Sequence, residues 1–259
     1  MTAGGVEIAT TTVVLLVLAG FVAGWVDAVV GGGGLVQLPA LLLVPGIGPI
    51  QALATNKLAG IMGTSVSAST YYRRVHPDLR TAGPMAGAAL GGAAGGAGLA
   101  SALPPGVFRP VILAALVLVA VYTVARPTVG RSTRLRWAGR RHLAAALGLG
   151  AAIGFYDGLL GPGTGTFLVI ALVAVLGYAF LEASASAKIV NAATNLGALV
   201  VFAWQGAPLW KLGLVVGAAN IAGAYLGARM AVARGSAFVR MVFVVVVAAL
   251  IARLAWSFL

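Results

Sequence analysis

Apolar residues in this chain come in long blocks, cut by clusters of glycine and proline or by charges rather than by an alternation of apolar and polar positions. In the first half the blocks run roughly over 7–30, 35–44, 50–73, 79–102 and 107–125. In the second half they run over 141–160, 165–178, 181–204, 208–232 and 236–257. Most of these blocks predict membrane-spanning helices, since a hydrocarbon core of ~30 Å takes ~20 helical residues to cross. The second block of each half is short for a straight crossing. It predicts either a half-helix that penetrates partway or a short helix completed by the glycine loop before it.

The pattern occurs twice. Asp27, the run Gly31 to Gly34 and Lys57 in the first half correspond to Asp157, the run Gly161 to Gly165 and Lys188 in the second. The offset is 130 for the acids and 131 for the lysines, and Gly83 with Gly213, Gly87 with Gly217 and Arg109 with Arg240 continue the match. Each half therefore carries an acid, a glycine-rich break, a short apolar piece and a lysine inside an apolar helix. Duplicated halves built around broken apolar segments are the mark of a transporter with internal repeats.

Composition agrees with a bilayer as the solvent: 61% of the 259 residues are hydrophobic and 8% are charged, too few to cover a water-soluble surface. The many small residues (37 are Gly) suit helices that pack closely in lipid. No cysteine is present, which excludes disulfides and thiolate chemistry. A net charge of +12 raises the question of nucleic acid, but the arginines sit in the short gaps between apolar blocks, so no nucleic-acid partner is expected. Residues 1–7 carry no basic residue ahead of the first block, which argues for a retained helix over a signal peptide.

The basic gaps also give an orientation. Arg73, Arg74 and Arg80 flank one gap, Arg126 to Arg141 fills the longest, and Arg229, Arg234 and Arg240 cluster at another; the alternate gaps at 101–106 and 205–211 hold only Lys211. Basic loops in the cytoplasm put both termini outside and give the halves opposite orientations, because five crossings per half is an odd number. The fold class expected is an all-α polytopic membrane protein of two inverted-topology repeats, about five segments each, with glycine-broken short helices near the midplane. The divisions are 1–126 for the first repeat, 127–140 for a basic cytoplasmic linker and 141–259 for the second repeat.

Four consecutive glycines make a poor helix interior, at ~1 kcal/mol each relative to Ala. Unwound backbone at membrane depth is tolerated where it lines a cavity or is buried in protein. The helices that restart near Leu35 and Thr166 aim free N–H groups and positive dipole ends at the breaks, which makes an anion site of Gly33, Gly34, Gly163, Thr164 and Gly165, with Gln37 and Thr166 as further donors. The alternative is close packing of two crossing helices on a glycine patch. Lys57 and Lys188 are functional candidates because a charge at the centre of a spanning helix costs ~2.5–3.5 kcal/mol or more. Polar neighbours accompany them: Thr55, Asn56 and Thr64 around the first, Asn191 and Asn195 on one face with the second. Together they describe a pocket rich in positive potential. The competing role for each lysine is a buried brace to an aspartate, or snorkelling to an interface.

Asp27 and Asp157 precede the breaks and serve either as braces to the lysines or the unwound backbone, or as carriers of a coupled proton. Trp25 is placed to wall the pocket, and His76 and His142, in or beside basic gaps, read as solvated. No nucleophile–base pair, metal-ligand cluster or phosphate loop is present, so neither an enzyme nor a cofactor or metal is implied.

These residues carry a family resemblance. Asp27 ahead of Gly31-Gly-Gly-Gly-Leu35, then Pro39, the stretch Gly46-Ile-Gly-Pro-Ile-Gln-Ala-Leu-Ala-Thr-Asn-Lys57 and Gly63-Thr64 resemble the TauE/SafE family of sulfite and organosulfonate exporters. Asp157-Gly-Leu-Leu-Gly-Pro-Gly-Thr-Gly165, the Lys188 helix and Asn191-Ala-Ala-Thr-Asn195 are similar to that family's second half. The resemblance implies export of a small anion, sulfite or a sulfonate, across a bacterial cytoplasmic membrane, with lipid around the chain and a homodimer allowed. Two other readings stand beside it: a proton-coupled cation transporter using Asp27 and Asp157, and an anion channel.

Overall fold

The computed structural model describes residues 2, 3, 6, 7, 9–100, 102 and 132–256. The expected segment 107–125 and residues 127–131 of the linker lie outside the described residues. A short antiparallel pairing of Thr2–Ala3 with Val6–Glu7 precedes the first helix; everything else regular in the described residues is helical.

Helix α1, Thr10–Val30, ends where the glycine run begins. Gly31 takes φ 86° and its N–H bonds the Asp27 carbonyl, a left-handed cap that only glycine adopts without strain. Helix α2, Gly34–Leu42, is nine residues long. Helix α3, Pro49–Val75, opens on a proline at its first position, with the Gln51 side chain accepting the Gly48 N–H at 3.0 Å. Arg73 and Arg74 occupy its last turn, the end of the helix dipole that favours cations. Helix α4 spans Leu79–Ala100.

The second half repeats the order. Helix α5, Gly139–Leu159, runs into the second break; α6, Thr164–Ala171, follows and is lengthened by a π-turn over Leu172–Leu176 that stops at Gly177 (φ 92°). Helix α7 spans Phe180–Trp204. Helix α8, Trp210–Trp256, is two helices in line: Gly235 has φ 72° and ψ −171°, so the pieces are 210–234 and 236–256, as the two apolar blocks predict. Among the described residues, α1, α5 and α7 are long and apolar enough to cross a membrane.

The two halves pack by exchange. The first helix of each lies along the fourth of the other: α1 on the 210–234 part of α8, and α5 on α4. Glycines set both crossings. A Cβ on Gly24 would meet the Asn220 carbonyl and one on Gly223 the Phe21 carbonyl. In the other crossing Gly154 lies against the Ala89 backbone and Gly96 against that of Phe155. Backbones this close are how helices associate in lipid, where apolar burial alone supplies no drive. The outward faces carry exposed apolar side chains such as Leu15, Leu18, Val200 and Leu214, while Lys57, Lys188, Gln37 and Asn220 are buried. That inversion of a water-soluble surface suits a polytopic membrane protein.

Candidate functional site

The two glycine breaks meet in the middle of the molecule. The Gly31 carbonyl accepts the Thr166 N–H at 3.1 Å, and Gly31 and Gly165 lie backbone to backbone, so a Cβ on either would strike the other. The restart of α2 at Gly34 faces Gly161 and Pro162 across the same junction.

Around it the charges are exchanged as the helices are. Lys57 Nζ lies 2.5 Å from Asp157 Oδ1, with both side chains essentially buried. Lys188 Nζ lies 3.0 Å from Asp27 Oδ2 and also donates to the Asp27 carbonyl oxygen. Each acid thus answers the lysine of the other half, and good geometry is what lets such pairs survive out of water. The Thr164 hydroxyl adds a contact to Asp157 Oδ1 at 2.5 Å. Asp157 Oδ2 is buried with no hydrogen-bond partner among the described residues.

A cavity of about 30 Å³ opens at this junction. Of the residues expected from the sequence, Asp27, Gly33, Gly34, Gln37, Asn56, Lys57, Thr64, Asp157, Gly163, Thr164, Gly165, Asn191 and Asn195 line it. Three do not. Thr55 accepts the Leu209 N–H at 3.0 Å, just ahead of α8. Thr166 spends its N–H on Gly31 and its hydroxyl on the Val30 carbonyl at 3.2 Å. Lys188 sits behind Asp27, fully buried. The expected pocket rich in positive potential is corrected too: both carboxylates reach the cavity, and with the two lysines the four formal charges cancel.

Asn220, Gly31, Gly60 and Gly161 also line the cavity and were not among the expected site residues. Asn220 had a signal, a lone amide in the apolar block 208–232. Gly60 stands 131 positions before Asn191 and makes room for an amide: a Cβ there would sit 3.4 Å from Asn195 Oδ1. Asn220 Nδ2 donates to Gln37 Oε1 at 2.9 Å, and Gln37 Nε2 donates to Asn56 Oδ1 at 3.0 Å. The chain occupies the Asn56 oxygen, so the amide group left for the cavity is its NH2, which packs 3.6 Å from the Gly34 position where a Cβ would stand.

Two further expectations change. Trp25 does not wall the cavity; it packs against α8 with its indole N–H 3.3 Å from Met230 Sδ. His142 is buried, not solvated: Nε2 lies 3.2 Å from Thr81 Oγ1 and 3.3 Å from the Tyr178 hydroxyl, because the first turn of α4 and the α6–α7 loop close over the start of α5. Asp78 ties the same segments, accepting from Thr81 at 2.7 Å and Tyr178 at 3.3 Å. Burial pushes its carboxyl up, but the Thr81 hydroxyl, the Arg80 N–H and the Tyr178 hydroxyl outweigh that and hold it below the usual carboxylate value.

The Sulfite exporter TauE/SafE family matches residues 16–254. The chain belongs to the TauE/SafE family. A probable membrane transporter protein, ORF9, of a Sinorhizobium species is 38% identical over 96% of this chain and 94% of its own length. A probable membrane transporter protein of Haemophilus influenzae is 34% identical over 92% of each chain. The probable membrane transporter protein YfcA of Escherichia coli is 34% identical over 94% of this chain and 89% of its own. No solved structure matches the chain. Membership of the TauE/SafE family places the protein among bacterial membrane transporters and not among enzymes. In this TauE/SafE chain glycines of both breaks, both acids and Lys57 converge on one cavity shared by both halves, with Lys188 behind Asp27.

Proposed function

We propose that the protein is a secondary transporter or facilitator that exports a small sulfur-containing anion, sulfite or an organosulfonate, from the cytoplasm. The observation that carries the reading is the cavity where both breaks meet, which brings Lys57, the amides of Asn56, Asn191 and Asn195 and the starts of α2 and α6 within reach of one small ligand. Ammonium and amide N–H donors at helix N-termini suit an oxyanion, which accepts hydrogen bonds at every oxygen. The family description names a sulfite exporter, in line with that chemistry. Export has a driving force, since one negative charge moving out of a negative cytoplasm gains ~2.3 kcal/mol per 100 mV. The halves act as inverted repeats that rock against one another, turning the shared cavity to each side of the inner membrane in turn, with basic loops cytoplasmic and both termini outside. The chain has no native cysteine, so single cysteines placed at 76 and at 206 test that topology by labelling from one side.

The test of transport is sulfite efflux from proteoliposomes under a set membrane potential. Saturable, potential-dependent efflux that is lost in Lys57→Gln supports the reading; no anion movement with any small oxyanion or sulfonate refutes it. One observation favours a second reading, a proton-coupled cation carrier: both carboxylates line the cavity. Cation transport that survives Lys57→Gln and is lost in Asp27→Asn or Asp157→Asn would establish it.

A further inference from the structure

We infer that the anion travels with a proton, and that the proton is held by Asp157 at its second carboxyl oxygen, Oδ2. The inference rests on the anion reading above. The two acids look equivalent in sequence but are not equivalent in the fold. Asp27 reaches the cavity too, but its Oδ2 is engaged by Lys188, which stands behind the cavity wall and also holds the Asp27 carbonyl. Asp157 has both its strong contacts on one oxygen: Lys57 Nζ and the Thr164 hydroxyl each lie 2.5 Å from Oδ1. Its Oδ2 is buried and unpartnered among the described residues, on a side chain that lines the cavity. A buried acceptor without a donor is costly, and a proton placed on it turns the same atom into a donor.

The charges around Asp157 give the proton its consequence. Facing it are Lys57 from α3 and Asp27 from α1, with Lys188 of α7 behind Asp27, while Thr164 of α6 and Tyr156 on its own helix add only hydroxyls. With both acids ionised, an arriving oxyanion meets no net positive charge and is repelled by the Asp157 carboxylate. With Oδ2 protonated and Lys57 as an ammonium, the cavity carries one net positive charge. Proton and anion therefore favour each other's binding by the same factor, as linkage requires. The step changes one bond: water on the side the cavity faces gives a proton to the carboxylate, and the acid returns it to water on the other side as the anion leaves. A monoanion then crosses without net charge and follows its own gradient, whereas a dianion such as SO₃²⁻ still moves one negative charge outward, the charge on which the membrane potential acts.

The test compares wild type with Asp157→Asn, whose amide mimics the protonated acid. Binding of sulfite, sulfate and methanesulfonate to the purified full chain is measured by calorimetry between pH 6 and pH 9. Wild-type affinity should fall with rising pH, approaching tenfold per unit for one linked proton. Asp157→Asn should lose that dependence and bind more tightly than wild type at pH 9, a gain that misfolding does not produce. The sulfite anion's own titration is common to both proteins and cancels in the comparison. Equal pH dependence in the two overturns the inference and leaves the anion reading standing. An absence of any anion binding by wild type overturns the anion reading, and this inference with it. If Asp157→Asn does not assemble, proton uptake on methanesulfonate or sulfate binding to unbuffered wild type decides: one proton per anion supports the assignment and none overturns it.

Discussion

Replacing Lys188 by Met removes one member of a pair whose lysine is fully buried and whose Asp27 side chain is 13% exposed. The charge left behind has no partner of opposite sign in contact, and stranding one member of a buried pair costs ~3–5 kcal/mol. The cost is read as the loss of unfolding free energy in SDS titrations of mixed micelles. Adding Asp27→Asn removes the stranded charge, so the double variant recovers most of the loss and the two substitutions are strongly non-additive. Because Lys188 stands behind the cavity wall and the double variant keeps the charge balance, Lys188→Met with Asp27→Asn binds anion within about threefold of wild type, a change below ~0.7 kcal/mol. Lys57→Gln strands Asp157 in the same way and in addition withdraws a charged donor that faces the ligand, worth ~1.5–3 kcal/mol or roughly 10- to 150-fold in affinity. The reasoning is refuted if Lys188→Met leaves stability intact, or if the double variant weakens binding as much as Lys57→Gln.

Gly154→Leu drives a side chain into the Ala89 backbone and should abolish assembly, whereas Gly148→Ala, with nothing described within 4 Å, should be neutral or stabilise by up to ~1 kcal/mol; expression and size-exclusion profiles separate the two. Gln37→Leu strands the Asn56 oxygen and the Asn220 amide group, costing ~1–3 kcal/mol, and frees Asn56 to turn its oxygen to the cavity, so calorimetry should show weaker anion binding along with lower stability. Asp78 has a lowered folded-state value, so its contribution is present above the unfolded-state value of ~3.9 and disappears as pH falls through the folded one. Hydrogen exchange at Tyr178 and Arg80 should rise over that acid range in wild type and be raised already at neutral pH in Asp78→Asn.

The breaks, the lysines and the short second helices were legible because each violates a local rule: four glycines where a helix should continue, a charge where lipid should be. The end of α1 at Gly31 and the split of α8 at Gly235 follow from the same punctuation. What the sequence left open depends on how the halves meet. Nothing local to Lys188 says that its ammonium group turns toward Asp27 and away from the cavity, while Lys57, in the same register, stays on it. Thr55 looked like a neighbour of the site and proved to serve the start of a helix 154 residues away. His142 follows arginines and reads as solvated until two distant segments cover it. Asn220, like the lysines, is a polar residue inside an apolar block, and its partner is the expected donor Gln37.

The crosswise pairing of acids and lysines bears on ancestry. Each half of the chain carries a lysine and an aspartate that do not pair with one another; both are answered only by the other half. A protein of one such half, before duplication, would have met the same two stranded charges and the same unfilled glycine faces, and two copies facing each other would have satisfied all of them at once. Two halves that complete one another in this way are what the fusion of a homodimer would leave.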